Sequence, residues 1–588
     1  MKRLFCIMLL LLVIQASFAQ QRTYCNPINI DYGYTPIPNF SEWGRHRATA
    51  DPVIVNYKGD YYLFSTNQWG YWWSSDMLNW KFISKKFLRP WNGGVYDELC
   101  APAVGIIGDT MLVFGSTYTS TFTIWISTNP KANEWKPLVD SFSLGGWDPS
   151  FFTDDDGKFY MYNGSSNKFP MYGIELNRKT MAPIGYRKEM YLLESWRYGW
   201  QRFGEYMDDT FLDPFIEGSH MTKYNGKYYL QYGAPGTEFS GYADGLVVGG
   251  SPLGPFTPQS DPLSFKPGGF ARGAGHGATF EDNYKNYWHV STMVVSVKNN
   301  FERRLGIWPS GFDKDGVMWC NTAFGDYPTY LPQTVGANAP FKGYADAGTF
   351  TGWMLLNYKK PVQVSSTSGG YHANYAVDEN IKTYWSAATG NAGEWIQTDL
   401  GNVSAVNAIQ INYADQDVDN AFLGKIPGLY HQYKMLYSVD GKKWKILIDK
   451  RKNQKDVPHD YVALEKPVEA RYIRLENIHM PTGKFAISGL RVFGNGKGAR
   501  PDKVKQFFVL RTEKDKRSAW IKWNPVDNAY AYNIYYGTHP DKLYNCVMVH
   551  DANDYWFKVM DREKAYYFTI EAINENGVSE KLPVVKVE

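Results

Sequence analysis

The sequence predicts an all-β fold whose first half is a five-bladed β-propeller. Three observations carry that prediction. Aromatic residues make up 17% of the chain, with 54 Gly and 31 Pro among 588 residues. That composition suits pleated strands separated by many turns, and it excludes disorder, coiled coil and collagen. One strand–turn–strand pattern recurs five times, with copies opening at residues 51, 101, 148, 217 and 276. Units of about 45–70 residues match a four-stranded propeller blade. Length alone would allow about four pieces of ~150 residues, but a propeller of roughly 300 residues counts as one and reduces the expectation to three.

The elements follow in chain order. Residues 1–19 read as a secretory signal: Lys2 and Arg3, an apolar run from Leu4 to Ile14, then Ser17-Phe18-Ala19 as a small-x-small cleavage site. That run is too short to span a bilayer and no later stretch reaches ~18 apolar residues, so no transmembrane segment is expected. The junction has no lipid-attachment cysteine, and the mature chain is expected to be exported, as a periplasmic, secreted or cell-surface protein. Lys plus Arg total 62 against 59 acids, which leaves no cationic excess for nucleic acid or an acidic membrane surface. Cys6 departs with the signal. Cys25, Cys100, Cys320 and Cys546 are too few for a disulfide framework. A bridge between Cys25 and Cys320 could staple the closure of the N-terminal domain, with isolated buried thiols as the alternative.

Each repeat opens on a special residue, continues as an apolar extended run, turns, and returns as an aromatic-rich strand. Asp51-Pro-Val-Ile-Val precedes Gly59-Asp60-Tyr61-Tyr62-Leu63, and Ala101-Pro-Ala-Val precedes Gly108-Asp109-Thr110-Met111-Leu112. Asp148-Pro-Ser-Phe-Phe precedes Gly157-Lys158-Phe159-Tyr160-Met161. Glu217-Gly-Ser-His-Met and His276-Gly-Ala-Thr-Phe complete the set. Strand–hairpin–strand is the physical reading. The innermost strands of a propeller run along its axis, so Asp51, Asp148, Glu217 and His276 are expected to converge at one end. Singly, each has an ordinary structural explanation, such as an Asp-Pro turn opener; placed in register they read as a site. Ala101 leaves the second blade without such a group. Asp154-Asp155-Asp156-Gly157 reads as hairpin-turn chemistry, and Asp213-Pro214 as structural.

Asn26-Pro27, Ala50-Asp51-Pro52, Trp147-Asp148-Pro149-Ser150-Phe151-Phe152 and Ile216-Glu217-Gly218-Ser219-His220, in this order on a five-fold repeat, resemble glycoside hydrolase family 43. The resemblance covers about residues 22–335 and includes the closing stretch Leu305-Gly306-Ile307-Trp308-Pro309. It implies a propeller that cleaves glycosidic bonds with inversion. Asp51 is then the general base, Glu217 the general acid, and Asp148 the residue that orients substrate and raises the acid's pKa. His276 resembles an axial histidine that helps hold calcium or water, so no cofactor is required and Ca2+ is an open expectation.

The second blade departs from the family pattern: Cys100-Ala101-Pro102-Ala103 stands where Trp-Ala-Pro and an acid are usual. Subsite candidates are His46, Arg304 or its neighbour Arg303, and the stacking residues Trp69, Trp72, Trp73 and Trp147. Against them stands the tendency of propeller tryptophans to fill space between blades. The expected activity is exo-acting release of terminal pentofuranosyl or pentopyranosyl residues from plant-type glycans, as an α-L-arabinofuranosidase or β-xylosidase. A β-galactofuranosidase or galactan-cleaving relative is the alternative, and a non-catalytic carbohydrate-binding protein the alternative of another class. Carbohydrate is the expected partner, and the oligomeric state is left open.

Beyond a linker at 336–360, residues 361–494 resemble a discoidin-type (coagulation factor 5/8 type C) jelly roll. The match rests on Ala376-Val377-Asp378, Thr383-Tyr384-Trp385-Ser386, Glu394-Trp395-Ile396-Gln397 and Arg471-Tyr472-Ile473-Arg474. It implies either sugar binding or bracing of the propeller, and Asp378 with Thr383 as a second calcium candidate. Residues 499–588 resemble a fibronectin type III sandwich through Trp520-Ile521-Lys522-Trp523, Ala531-Tyr532-Asn533-Ile534 and Tyr566-Tyr567 at a tyrosine corner. A spacer without chemistry is expected there.

Overall fold

The computed structural model describes residues 22–35, 43–66, 68–88, 99–118, 122–335 and 349–588. The expected signal peptide and residues 336–348 of the expected linker lie outside them.

Five blades are present. Val53–Tyr57, Asp60–Phe64, Gly70–Ser74 and Lys81–Ser84 make the first, in sequential antiparallel order. Cys100–Ile107 opens the second, Ser150–Thr153 the third, Glu217–Tyr224 the fourth and Arg272–Glu281 the fifth. The hairpin reading of each repeat holds, for example Val53 opposite Phe64 and Ser150 opposite Tyr162. Inner strands of neighbouring blades pack side by side around the axis. The repeat aromatics fill the space between sheets: Tyr62, Leu63, Tyr71 and Trp72 are buried in one cluster, Phe151, Phe159 and Met161 in another.

Closure comes from the N-terminal segment. Thr23–Tyr24 pairs with Thr329–Tyr330, and Asn26 exchanges hydrogen bonds with the backbone of Ile307 at 2.9 and 3.0 Å. Among the described residues no disulfide assists. Cys25, Cys100, Cys320 and Cys546 are buried free thiols, so the bridge alternative gives way to isolated thiols. The Cys25 thiol donates to the Asp326 carbonyl at 3.2 Å instead.

The second unit is built on two very long antiparallel strands, Trp395–Tyr413 and His459–His479, around a core of Trp385, Tyr433, Leu475 and Ile487. The third is a sandwich. Lys505–Arg511, Ala519–Asn524 and Asp554–Phe557 form one sheet, and strands led by Ala531–Gly537 and Tyr566–Asn574 form the other. Its core is continuous with the propeller's: Trp200 and Tyr232 share one buried cluster with Trp523, Phe557 and Phe568. Arg491 of the second unit is buried with Glu379 at 2.9 Å and also donates to the Asp326 carbonyl of the propeller at 2.5 Å. The three units therefore pack as one body.

Candidate active site

The repeat places one backbone kink at the head of each inner strand. Asp51, Ala101, Asp148, Gly218 and His276 have φ of 54, 43, 52, 62 and 47°. In blades two, four and five the strand register slips by one residue at this point. Such a bulge re-aims a side chain, here at the head of an axial strand. The left-handed backbone costs an L-residue about 1–2 kcal/mol, and Asp tolerates it better than most. Glu217 is the exception: Gly218 holds the kinked position in blade four, and the acid projects from one residue earlier. Glycine is required there, because a Cβ on Gly218 would lie 2.5 Å from His276 Cγ.

Hydroxyls anchor the kinks. Asp51 N donates to Thr292 Oγ1 at 2.9 Å, Ala101 N to Thr66 Oγ1 at 2.8 Å, and Asp148 N to Ser116 Oγ at 2.9 Å. Each hydroxyl comes from the preceding blade. Thr66 Oγ1 in turn donates to Asp51 Oδ2 at 2.6 Å. The second blade, which offers Ala101 where the others offer an ionisable group, thus fixes Asp51 through its backbone.

The four expected residues meet around His276. Its Nδ1 lies 3.3 Å from Asp51 Oδ1 and 3.8 Å from Asp148 Oδ2, with each side chain about a tenth exposed. Glu217 accepts from Tyr242 Oη at 2.5 Å and from Ser165 Oγ at 3.4 Å. Arg303 Nη1 lies 3.6 Å from Asp51 Oδ1 and donates to Thr237 at 2.8 Å.

These contacts divide the acids. Burial opposes ionisation of Asp51, but His276, Arg303 and the Thr66 hydroxyl outweigh it and hold its pKa below the usual carboxylate value. Burial raises Glu217, against the pull of His276 and Tyr242 and with help from the Asp51 charge. Asp148 is pushed up to about 8, by burial first and then by Glu217 and Asp51, with His276 opposing. Asp148 and Glu217 titrate as a pair. Near neutral pH the pair keeps a proton while Asp51 is a carboxylate. Burial lowers His276, yet Asp51, Asp148 and Glu217 outweigh it and raise its pKa above the usual imidazole value. One pocket therefore holds carboxyl groups shifted in opposite directions.

The subsite candidates divide as well. Trp147 is 41% exposed and meets Tyr118 edge-on at 5.2 Å, beside Asp148. The others are engaged elsewhere. Trp69 carries Lys86 Nζ 4.0 Å over its ring and packs against the backbone of Gly424 in the second unit. Trp73 lies on the third strand of its blade, between Lys81 and Lys131 at 5.0 and 3.9 Å. Trp72 is fully buried and donates to Asp31 at 2.6 Å. His46 is fully buried, which leaves no surface for a ligand. Arg304 turns away from the site: its Nε donates to His459 Nε2 at 2.8 Å and its Nη1 to the Arg47 carbonyl. Arg303 is the arginine of the site. Tyr242, Ser165 and Thr66 carry no repeat signature and were not expected.

The calcium expectations find little support in the donor set. Among the described residues no group of three or more His, Cys, Asp or Glu is arranged to hold a metal ion. His276 directs Nδ1 at two carboxylates, and both Asp378 oxygens are engaged, by Asn380 N at 3.1 Å and Thr383 Oγ1 at 2.7 Å. Asp154 is tied to Lys223 and Tyr228 in its turn, at 2.5 and 2.6 Å.

Comparison with known proteins meets this geometry. Residues 46–318 match the family described as Glycosyl hydrolases family 43. Residues 361–489 match the F5/8 type C domain. An "Arabinoxylan arabinofuranohydrolase" of Paenibacillus polymyxa is 32% identical over 155 residues, which are 24% of this chain and 22% of the relative. A "Beta-xylosidase" of Xylanibacter ruminicola is 32% identical over 164 residues, covering 24% and 49%. A "Beta-D-galactofuranosidase xynD" of Aspergillus niger is 28% identical over 159 residues, covering 26% and 40%. The chain thus spans less than half the length of these relatives. A solved "Glycoside hydrolase" covers 78% of this chain and 99% of its own at 19% identity, with a TM-score of 0.44.

Proposed function

We propose that the chain is an exported, exo-acting, inverting glycoside hydrolase that releases terminal pentofuranosyl or pentopyranosyl residues from plant-type glycans. The observation that carries the reading is that one pocket holds carboxyls shifted in opposite directions, Asp51 downward by His276, Arg303 and Thr66 against its burial, and Glu217 upward by burial. Asp51 takes a proton from water as the water oxygen bonds to the anomeric carbon. Glu217 gives its proton to the departing glycosidic oxygen, and the C–O bond breaks with inversion. Tyr242 then stabilises the new Glu217 carboxylate, and proton exchange with solvent resets both acids. His276 and Arg303 keep Asp51 charged.

The names of the relatives support arabinofuranoside and xyloside as substrates, and the galactofuranosidase keeps that alternative in the test. Trp147 and Tyr118 form the exposed aromatic wall beside Asp148, suited to stacking a sugar ring. The fibronectin type III-like reading of the third unit is supported by its division into sheets and by Tyr566, whose hydroxyl accepts the Asp561 N–H at 2.8 Å five residues upstream.

The test is turnover of aryl α-L-arabinofuranoside, β-D-xyloside and β-D-galactofuranoside, with the first-released anomer followed by proton NMR. Release of an inverted pentose is expected. Retention refutes the mechanism, and a panel without turnover supports the non-catalytic alternative.

A further inference from the structure

The third unit was expected to be a spacer, yet it builds one wall of a cavity. Between it and the propeller lies a cavity of about 620 Å³, within the usual size of a ligand site. Tyr206 from the propeller and Trp556 from the third unit line it, and they are 73% and 56% exposed. Exposed aromatics this large, brought from two units to one concavity, present flat apolar faces to solvent.

The polar groups divide into engaged and free. Glu205 accepts the Ser240 N–H at 2.8 Å, and Lys558 donates to the Tyr206 carbonyl at 2.9 Å and to Asp208 at 2.8 Å. Arg272 is half-buried in the lining, and its guanidinium makes no hydrogen bond or ion pair among the described residues. A planar array of five donors is thus left open beside apolar rings. A sugar ring has the matching chemistry, with an apolar face for the aromatics and vicinal hydroxyls for the fork.

The cavity is also continuous with the catalytic elements. Gly241 lines it, and the next residue, Tyr242, bonds Glu217. Arg272 opens the strand that carries His276 four residues on, a rise of at most about 13 Å. We propose that this cavity is a second glycan-binding site, which holds a sugar ring of the same polysaccharide whose terminal residue enters the catalytic pocket. Trp556 and Tyr206 supply the stacking faces and Arg272 the hydroxyl contact. The proposal rests on the hydrolase reading for its ligand class alone.

The experiment uses the full chain carrying Glu217→Gln, so that nothing is turned over, in affinity electrophoresis through gels containing arabinoxylan, linear arabinan, xyloglucan or galactan. At least one polymer is expected to retard this protein. Adding Trp556→Ala or, separately, Arg272→Ala weakens that retardation at least fivefold while the thermal unfolding midpoint holds. Retardation unchanged in both variants, or no retardation by any of the polymers, overturns the second site. The two readings fail separately. A wild-type chain that turns over no aryl glycoside but shows Trp556- and Arg272-dependent retardation loses the catalytic reading and keeps the site. Turnover with insensitive retardation does the reverse.

Discussion

Removing a single hydroxyl tests the acid assignment most directly. Tyr242 donates to Glu217 Oε1 at 2.5 Å in a buried setting. A hydrogen bond to a charged group contributes about 1.5–3 kcal/mol. It favours the carboxylate, because a protonated carboxyl is the poorer acceptor. Tyr242→Phe withdraws that preference, so the raised pKa of Glu217 rises further. At 1.36 kcal/mol per pH unit the shift is about one to two units. An inverting acid must be protonated to act, so activity is lost on the alkaline side as the Asp148–Glu217 pair ionises. In Tyr242→Phe the alkaline limb of kcat/KM should move up by about one to two units, while the acid limb, set by Asp51, stays in place. The variant also loses the bond that stabilises the carboxylate formed on proton transfer. The rate on alkyl or oligosaccharide leaving groups should fall by about 10- to 100-fold, and much less on nitrophenyl glycosides, which need little protonation. The assay is the pH dependence of initial rates for both substrate types. An unmoved alkaline limb, or equal loss on both leaving groups, refutes Glu217 as the donor held by Tyr242.

The remaining predictions concern the same framework. Glu217→Gln should abolish turnover of poor leaving groups while circular dichroism and the unfolding midpoint match wild type; retained hydrolysis would overturn the acid assignment. Gly218→Ala forces Cβ onto the His276 ring and should lower stability by more than the ~1–2 kcal/mol of left-handed strain, read by denaturant unfolding, with turnover reduced at least tenfold. Arg304→Met removes the donor to His459 and the Arg47 carbonyl, while Asp415 keeps Arg47; buried acceptors left unsatisfied should lower stability by about 1–3 kcal/mol, read by denaturant unfolding, yet KM should hold, because Arg304 does not face the pocket. His220 and His550 are each lowered to about 4, burial being the leading cause. The unfolded chain therefore takes up protons that the folded one refuses, and stability should fall as pH drops from ~6.5 to 4, by up to about 3 kcal/mol per histidine. Unfolding midpoints at pH 7 and 4.5 check this, and equal midpoints would refute it.

The architecture of the propeller was legible because its signal is repeated. Asp51, Asp148 and His276 open equivalent strands, and a five-fold pattern averages out the ambiguity of any single Asp-Pro. What was not legible depends on one-residue geometry or on other units. Glu217 shares the repeat only through Gly218, since the kink, and not the acid, is in register. Arg303 and Arg304 are adjacent on one strand, whose alternation sends one to Asp51 and the other to the second unit. Trp69 and Trp73 are aromatic and near Asp51 in sequence, yet Trp73 lies on a blade's third strand, away from the axis, and Trp69, just before that strand, packs against Gly424 of the second unit. Tyr242 arises from a connection between strands and has no counterpart in the other blades. His46 and Arg304 were read as pocket groups because nothing in a sequence shows which faces another unit will cover.

The continuous core between the propeller and the third unit has a practical consequence for anyone dissecting the protein. Cutting the chain after residue 335 would leave Trp200 and Tyr232 facing water, along with the Arg197 and Arg202 side chains that pair with Asp561 and Asp515 at 3.1 and 2.7 Å. A catalytic fragment would therefore be expected to aggregate, not to report the activity of the parent. The accessory units are also unlike beads on a flexible string. A module fused into the same core gains no reach from a linker, and whatever it touches is held at a fixed angle to the catalytic pocket. Swapping it for another module would require the new partner to cover the same apolar face of the propeller.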